Sequence, residues 1–478
     1  MARVFFTPAV VAGLIAATLL PARAVNWPVF GFDPARSSFN SDEKMLTVGN
    51  VHRLREKWQT SLGSVADSTP ILVQHVRVGR FYHTMLFQTT LSGETFGIEA
   101  SSGKIFWHFA THGPNYTHST PAAEPGNKAI FAPGVDGRVH KLKANNGHEI
   151  HAGGFPAKIT LIPATEANES PLNLANGYLY ATISGYNGDG TPYDGHVVAI
   201  DIKTGKKTVF NSLCSDKHKL LSGGGCASQR SGIWARGGAV VDSDPSMNGR
   251  VYAATGNGDF DANTGGVDYG DSVVALSADL SDLVGSYTPT DYKQLQDGDV
   301  DLGSTSPTIL PQQSNSQTPW MMVEGGKDAV AKLLNRAALP GVGNELQLLD
   351  LPGPLFSTPA VWSDASNNTW LFMGFSDVVQ AYRLETNGSG LSQLVGIWHS
   401  SPAQTGGEGT SPVVANGIVF VAFDGAIVAL NAINGTELWS SATHPKSIGS
   451  VHWQSPIVAN GWVYCSDQNG NLTGFALQ

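Results

Sequence analysis

The sequence predicts an all-β chain, folded as an eight-bladed β-propeller of four-stranded antiparallel blades. Three observations lead there. One sequence unit recurs along almost the whole chain, its apolar runs are only 4–6 residues long, and Gly accounts for 55 of the 478 residues. Runs of that length suit strands better than helices. Glycine is costly inside helices but useful in tight turns. A period of about 50 residues holding four short strands is the signature of a propeller blade.

Taken in order, residues 1–24 stand apart from the repeats. Arg3 supplies a positive charge, residues 4–20 form an apolar run, and Ala22-x-Ala24 has the small residues of a cleavage site. This layout is expected to be a signal peptide, leaving residues 25–478 as one exported propeller domain, periplasmic or extracellular. The repeats open on Ser/Thr-Pro steps at Pro70, Pro121, Pro171, Pro307, Pro359, Pro412 and Pro456. Successive steps lie 51, 50, 136, 52, 53 and 44 residues apart, and Gly237-Gly238, before Ala239-Val240-Val241, fills the double interval, making eight units. The clearest copy runs Ser411-Pro412-Val413-Val414-Ala415-Asn416-Gly417, apolar residues 418–423, Asp424-Gly425, apolar residues 426–430, then Asn434-Gly435-Thr436-Glu437-Leu438-Trp439. Its Asn-Gly and Asp-Gly steps provide the positive φ that hairpin turns need. The last copy, residues 455–477, has too few strands for a blade. Residues 56–60 are expected to supply its outer strand, closing the ring and removing the open edge.

Composition excludes several classes. With 29 Lys+Arg against 39 Asp+Glu the net charge is −10, which argues against nucleic-acid binding because phosphates require a basic face. Charged residues are 14% and hydrophobic ones 41%, the opposite of a disordered chain. Past residue 24 no stretch approaches the roughly 20 apolar residues that span a bilayer. Cys214 and Cys226 flank a polar, Gly-rich loop and are expected to form a disulfide in an oxidising compartment; two free thiols are the alternative. Cys465 lies in the apolar run Trp462-Val463-Tyr464-Cys465 and is expected in the core. There is no Cys-x-x-Cys-His for covalent haem. Asp259-x-Asp261-x-Asn263-x-Gly265 starts like a Ca²⁺ loop but has Gly270 where a Glu is needed. His118, His140, His148, His151 and His196 show no metal-ligand spacing and are expected to be structural or on the surface.

Gly97-Ile98-Glu99-Ala100-Ser101-Ser102-Gly103-Lys104-Ile105-Phe106-Trp107, Ala199-Ile200-Asp201-Ile202-Lys203-Thr204-Gly205-Lys206 and residues 429–439 resemble the Ala-Leu-Asp-x-x-Thr-Gly-x-x-x-Trp signature of the pyrroloquinoline-quinone (PQQ) repeat family. Its members include quinoprotein alcohol and polyvinyl-alcohol dehydrogenases. Ser231-Gly232-Ile233-Trp234, Asp242 and Val251-Tyr252-Ala253-Ala254-Thr255-Gly256-Asn257-Gly258 are similar to the stretch that floors the quinone site. By that resemblance Trp234 stacks on PQQ and Asn257 binds the metal, Ca²⁺ or a lanthanide. Gly298-Asp299-Val300-Asp301-Leu302-Gly303-Ser304-Thr305-Ser306-Pro307 looks like the family's Asp-x-Asp-Phe-Gly-x-Ser-Pro segment, which makes Asp299 the catalytic base and Asp301 a metal ligand. Gly325-Gly326-Lys327-Asp328 resembles the segment whose cation contacts the quinone oxygens, a role implied for Lys327. In an early blade Asn187 stands where the family has a metal-binding Glu, and the family's vicinal Cys-Cys pair is absent.

The residue types suit alcohol oxidation, which needs a metal to polarise the quinone carbonyl, a carboxylate to take the hydroxyl proton and a cation near the reducing oxygens. On a strand, Asp297, Asp299 and Asp301 would share one face. The expected activity is therefore oxidation of a small or polymeric alcohol, with electrons passed to an external acceptor. The alternative is a propeller scaffold without cofactor that binds a protein partner.

Overall fold

The computed structural model describes residues 1, 25–186, 190, 192–223, 225–401, 409–443 and 447–478. Its strands form eight sheets in a ring, each with four antiparallel strands running outward from the axis. Blade 1 comprises Ile71–Val78, Phe81–Thr89, Glu94–Glu99 and Ile105–Ala110. Blades 2 to 7 follow in chain order, their innermost strands at Ala122–Ala123, Asn173–Ala175, Val240–Val241, Thr308–Ile309, Ala360–Ser363 and Val413–Ala415. Blade 8 is built from both ends of the domain. Ile457–Ala459, Trp462–Ser466 and Asn471–Leu477 come from the C-terminal end, and Leu54–Ser61 pairs antiparallel with the last of them, Leu54 opposite Leu477 and Ser61 opposite Asn471. The closing strand expected from residues 56–60 is thus present, slightly longer than expected.

The hairpins form where the Asn-Gly steps stand. Asn176-Gly177, Asn416-Gly417 and Asn460-Gly461 all have two successive positive φ values, the requirement of a two-residue turn whose twist matches its strands. Apolar faces are buried between neighbouring blades rather than at the axis. One cluster, for example, joins Ile71, Phe87 and Trp107 of blade 1 to Ile130 and Leu142 of blade 2.

A tryptophan in the outermost strand docks on the next blade. Trp58 donates its indole N–H to the Ala100 carbonyl, Trp107 to Ala144 and Trp398 to Ala432, each at 3.0 Å. The Gly in the turn before the neighbour's outermost strand makes room for the ring. A Cβ on Gly103, Gly147 or Gly435 would lie 2.4–2.5 Å from the six-membered ring of the docked indole. Blade 2 has no such tryptophan, and there Gly205 packs directly against Gly154, with the added Cβ 2.4 Å from its Cα.

The N-terminal segment crosses the inner strands, an arrangement absent from the sequence-based expectations. Val241 and Val361 donate their backbone N–H to Pro34 and Ser37, and Val414 to Ser38. The buried Arg36 guanidinium donates to the carbonyls of Phe30, Gly237 and Leu172 at 2.6, 3.0 and 3.1 Å. Cys214 and Cys226 are disulfide-bonded with Cα atoms 5.6 Å apart, and Cys465 is buried as expected. Among the described residues no helix is long and apolar enough to cross a membrane.

Trp398→Ala should lower stability by about 3–5 kcal/mol, the cost of truncating a buried large aromatic, seen as a lower guanidinium midpoint with the β-type circular dichroism retained. Peptide mapping without reduction should give one peptide pair linked through Cys214 and Cys226. Replacing Cys214 by Ser should cost about 2–3 kcal/mol on the chain-entropy estimate.

Candidate functional site

The segments that precede each inner strand converge on the axis. Together with inter-strand turns on the same side they line a cavity of about 320 Å³ walled by Glu169, Ser184, Tyr186, Tyr193, Trp234, Asp299, Asp301, Lys327, Phe356, His452 and Trp453, among others. A larger cavity of about 440 Å³ lies along the N-terminal segment, but its buried charges, Arg336 and Asp242, are already paired at 2.6 Å.

Blades 4 and 5 supply the chemistry-bearing corner. The expected strand through Asp297, Asp299 and Asp301 is instead the short helix Tyr292–Gly298, with Asp299 as its left-handed C-cap at φ 54°. Lys293, Gln294, Leu295 and Gln296 are good helix formers, and Leu295 buries the helix against the blade. Asp297 is exposed on that helix and stays out of the cavity. Asp299 and Asp301 still converge, now through a turn. Asp301 is fixed from both sides: Asn257 donates its backbone N–H to Oδ1 at 2.8 Å, and the Asp301 carbonyl accepts from Lys327 N–H at 3.0 Å. Gly256 is required here, since a Cβ on it would lie 2.4 Å from Asp301 Oδ1. Lys327 itself sits in the turn between strands Met321–Glu324 and Val330–Asn335.

The Lys327 ammonium is the cation of this corner. Its Nζ lies 2.5 Å from Asp301 Oδ2, 3.3 Å from the Asp299 carbonyl, 4.0 Å from Asp299 Oδ1 and 5.3 Å from the centre of the Trp234 ring. Asn257 Nδ2 donates to Asp299 Oδ1 at 2.6 Å, while Asn257 Oδ1 is buried without a hydrogen-bond partner. An orphaned buried carbonyl is costly. Beside two carboxylates, it is the donor set a hard cation takes. Burial raises the Asp301 carboxyl above the usual range despite Lys327. The sequence-predicted residues Trp234, Asn257, Asp299, Asp301 and Lys327 are therefore brought together. Asn187 lies outside the described residues. The 259–270 loop is a self-closed hairpin, with Asp261 Oδ1 accepting from Asp268 N–H at 2.9 Å.

The other wall went unnoticed in the sequence. Trp453 lies 6.0 Å from Trp234, ring centre to ring centre, with planes inclined by 33°, and Arg236 sits 5.2 Å from the Trp453 ring. Behind it, His118 and His452 both hydrogen-bond Asp67 Oδ2 through Nδ1, each at 2.8 Å. Burial alone would raise the Asp67 carboxyl, but these two hydrogen bonds hold it well below the usual range. Burial would lower His118; Asp67 outweighs that and raises it. His118 is thus buried and hydrogen-bonded, within the structural-or-surface expectation, and its partners come from segments remote in sequence. One signal was available: Asp67, His118, Phe356 and Trp453 each stand three residues before a repeat proline.

A model described as the beta-propeller domain of glucose, ethanol and alcohol dehydrogenases matches residues 27–337. The chain belongs to this PQQ-repeat propeller family. A second model, described as outer membrane protein assembly factor BamB, matches residues 384–478. The quinate/shikimate dehydrogenase (quinone) of Acinetobacter baylyi is 22% identical over 382 residues, 70% of this chain and 46% of that protein. The chain spans less than half the length of the curated relatives it matches. The quinohemoprotein alcohol dehydrogenase ADHIIG of Pseudomonas putida HK5 superimposes with TM-score 0.67 at 14% identity, covering 95% of this chain and 80% of that one. A europium-containing methanol dehydrogenase does so with TM-score 0.64 at 16% identity, covering 95% and 98%. At these identities the structural likeness is one of fold.

Within this PQQ-repeat propeller, Asp271 sits behind the corner, its Oδ1 accepting from Leu302 N–H at 3.0 Å. Burial pushes its carboxyl up to about 8, which that hydrogen bond only partly offsets. Unfolded, it ionises near pH ~4. Between these values the native chain holds a proton that the unfolded chain has lost, so stability from this residue is complete below about pH 4 and is lost as pH rises towards 8. Asp271→Asn should leave the urea midpoint near pH 4 unchanged. At pH 9 in EDTA it should raise stability by a few kcal/mol, flattening the profile.

Proposed function

We propose that this propeller is a quinoprotein-type dehydrogenase domain that binds PQQ and oxidises a hydroxyl group of a small or polymeric alcohol. The observation that carries the reading is the corner itself. A buried Asn257 Oδ1 without a partner lies beside two carboxylates that clasp the Lys327 ammonium over the Trp234 indole. In this reading Trp234 is the platform for a planar ring. Asn257 and Asp301 hold Ca²⁺ or a lanthanide, and Asn187 would be a third ligand by resemblance. Lys327, now paired with Asp301, would supply its ammonium to anionic or carbonyl oxygens of the bound ring. When bound, PQQ supplies the two-electron acceptor that the side chains lack. Asp299, whose side chain is 73% exposed, accepts the hydroxyl proton of an alcohol entering from the open side. Asn257 Nδ2 orients that carboxylate through its 2.6 Å hydrogen bond.

Residues 1–24 and the Cys214–Cys226 disulfide support export to the periplasm or beyond. An external electron acceptor would then take the electrons. A second reading keeps one observation in its favour: the match of residues 384–478 to the BamB model fits a non-catalytic scaffold that binds protein.

Calorimetry of the full chain with PQQ and Ca²⁺, or a lanthanide, separates the two, since a scaffold binds no quinone. Trp234→Ala should weaken quinone retention while the ring stays folded. Asp299→Asn should still bind PQQ but lose turnover by about 10²–10⁴-fold, the usual contribution of a general base.

A further inference from the structure

The proposed quinone corner uses one wall of the cavity and leaves the Asp67, His118 and His452 group on the other without a role. We propose that these three residues form a second metal site, rich in nitrogen, that takes a borderline divalent transition cation such as Zn²⁺.

The geometry carries this. Asp67 Oδ2 lies 2.8 Å from His118 Nδ1 and 2.8 Å from His452 Nδ1, and the three candidate ligand atoms all fall within 4.8 Å of one another. A tetrahedral cation with bonds of about 2.0–2.1 Å spaces its ligands by about 3.3 Å, about half an ångström more than the present separations. Only small displacements therefore separate the present arrangement from one face of a coordination shell. The carboxylate is oriented as a ligand usually is, because the Trp453 backbone N–H donates to Asp67 Oδ1 at 2.8 Å and leaves Oδ2 for the site. The His118 ring is held between Tyr116 and Trp453, with ring centres 5.2 Å away on each side. Asp67 and His118 are buried, whereas His452 is half-exposed and lines the cavity. A cation can enter past His452 and keep its remaining positions towards that cavity.

The donor types choose the ion. Two imidazoles and one carboxylate suit Zn²⁺, Cu²⁺, Ni²⁺ or Fe²⁺, whereas Ca²⁺ takes oxygen ligands. The site thus differs in chemistry from the oxygen donors of Asn257 and Asp301. On loading, each imidazole gives its Nδ1 lone pair to the cation and keeps a proton on Nε2; the Nδ1 proton is released to solvent from an imidazolium, or is exchanged through solvent to Nε2 in a neutral ring. The two Nδ1 hydrogen bonds to Asp67 are exchanged for metal bonds.

The test needs no quinone, so its outcome is independent of the dehydrogenase reading. Full-length protein stripped with EDTA is loaded with Zn²⁺ in excess Ca²⁺, desalted and its metal content measured. About one Zn²⁺ per chain should remain. His452→Ala, a change at the half-exposed ligand that should leave the ring folded, and Asp67→Asn should each weaken Zn²⁺ binding by at least about 10–100-fold. Asp301→Asn should leave it intact. Co²⁺ in place of Zn²⁺ should give visible absorption bands in the wild type that are absent in His452→Ala. No retained Zn²⁺ in the wild type overturns the proposal and leaves a hydrogen-bonded His–Asp–His cluster. Retention in His452→Ala with loss in Asp301→Asn also overturns it, assigning the ion to the other corner.

Discussion

Everything at the axis depends on ring closure by Leu54–Ser61. This strand completes blade 8 from the wrong end of the domain, and its pairing with Asn471–Leu477 brings residues 62–70 alongside residues 448–456. The Asp67–His452 hydrogen bond spans 385 positions in sequence, and the neighbouring Ser455 N–H to Thr69 Oγ1 bond, at 2.9 Å, crosses the same seam. A ring open at this point would lose one wall of the cavity entirely. Closing so long a loop costs conformational entropy only logarithmically, and the added strand covers the edge that Asn471–Leu477 would otherwise expose.

Closure also fixes the angle between blades, because eight equal wedges must total one turn. The docked tryptophans set that angle locally. Each indole fills the space a Gly leaves on the next blade and anchors itself to an Ala carbonyl. Where blade 2 lacks the tryptophan, two glycines meet backbone to backbone instead. Close backbone contact there replaces the indole that fills the wedge elsewhere. The same repetition puts the segment before each inner strand near the axis, so a blade contributes to the site through a few residues ahead of that strand and through inter-strand turns such as those of Asn257 and Lys327. The blades hold the scaffold, and the approach segments are free to differ in chemistry.

This division explains what was legible in the sequence. The fold was, because short strands and turn residues are local signals that recur along eight units, with the Gly-x-x-x-Trp spacing repeated at Gly103–Trp107 and Gly435–Trp439. The Trp234, Asn257, Asp299, Asp301 and Lys327 corner was legible through family resemblance, since its members lie within two adjacent blades. The local conformation was misread around Asp299, where period-two spacing suggested a strand and helix-forming residues 293–296 decided otherwise. The opposite wall was missed because Asp67, His118 and His452 have no local metal-ligand spacing, and their places three or four residues before a repeat proline mark position rather than chemistry. Their meaning comes from the ring, which places residues from three separate repeats within hydrogen-bond distance. Arg36 was missed for the same reason: its carbonyl partners lie in blades 3 and 4 and in its own segment.

The two walls also differ in electrostatics, and the difference bears on what each can hold. On the blade 4 and 5 side, Asp299, Asp301 and the raised Asp271 share one ammonium. Negative charge there exceeds what Lys327 neutralises, and burial pushes the Asp301 and Asp271 carboxyls up. A further cation would stabilise their ionised forms. On the seam side, Asp67 is already satisfied by two imidazoles and a backbone N–H, and its carboxyl is depressed. That side gains little from a hard cation, since any ion there must replace good hydrogen bonds with bonds at least as strong. Imidazole nitrogens form such bonds with transition metals and not with Ca²⁺. One cavity thus presents an oxygen-rich, cation-poor corner facing a nitrogen-rich, charge-balanced one, with Trp234 and Trp453 between them.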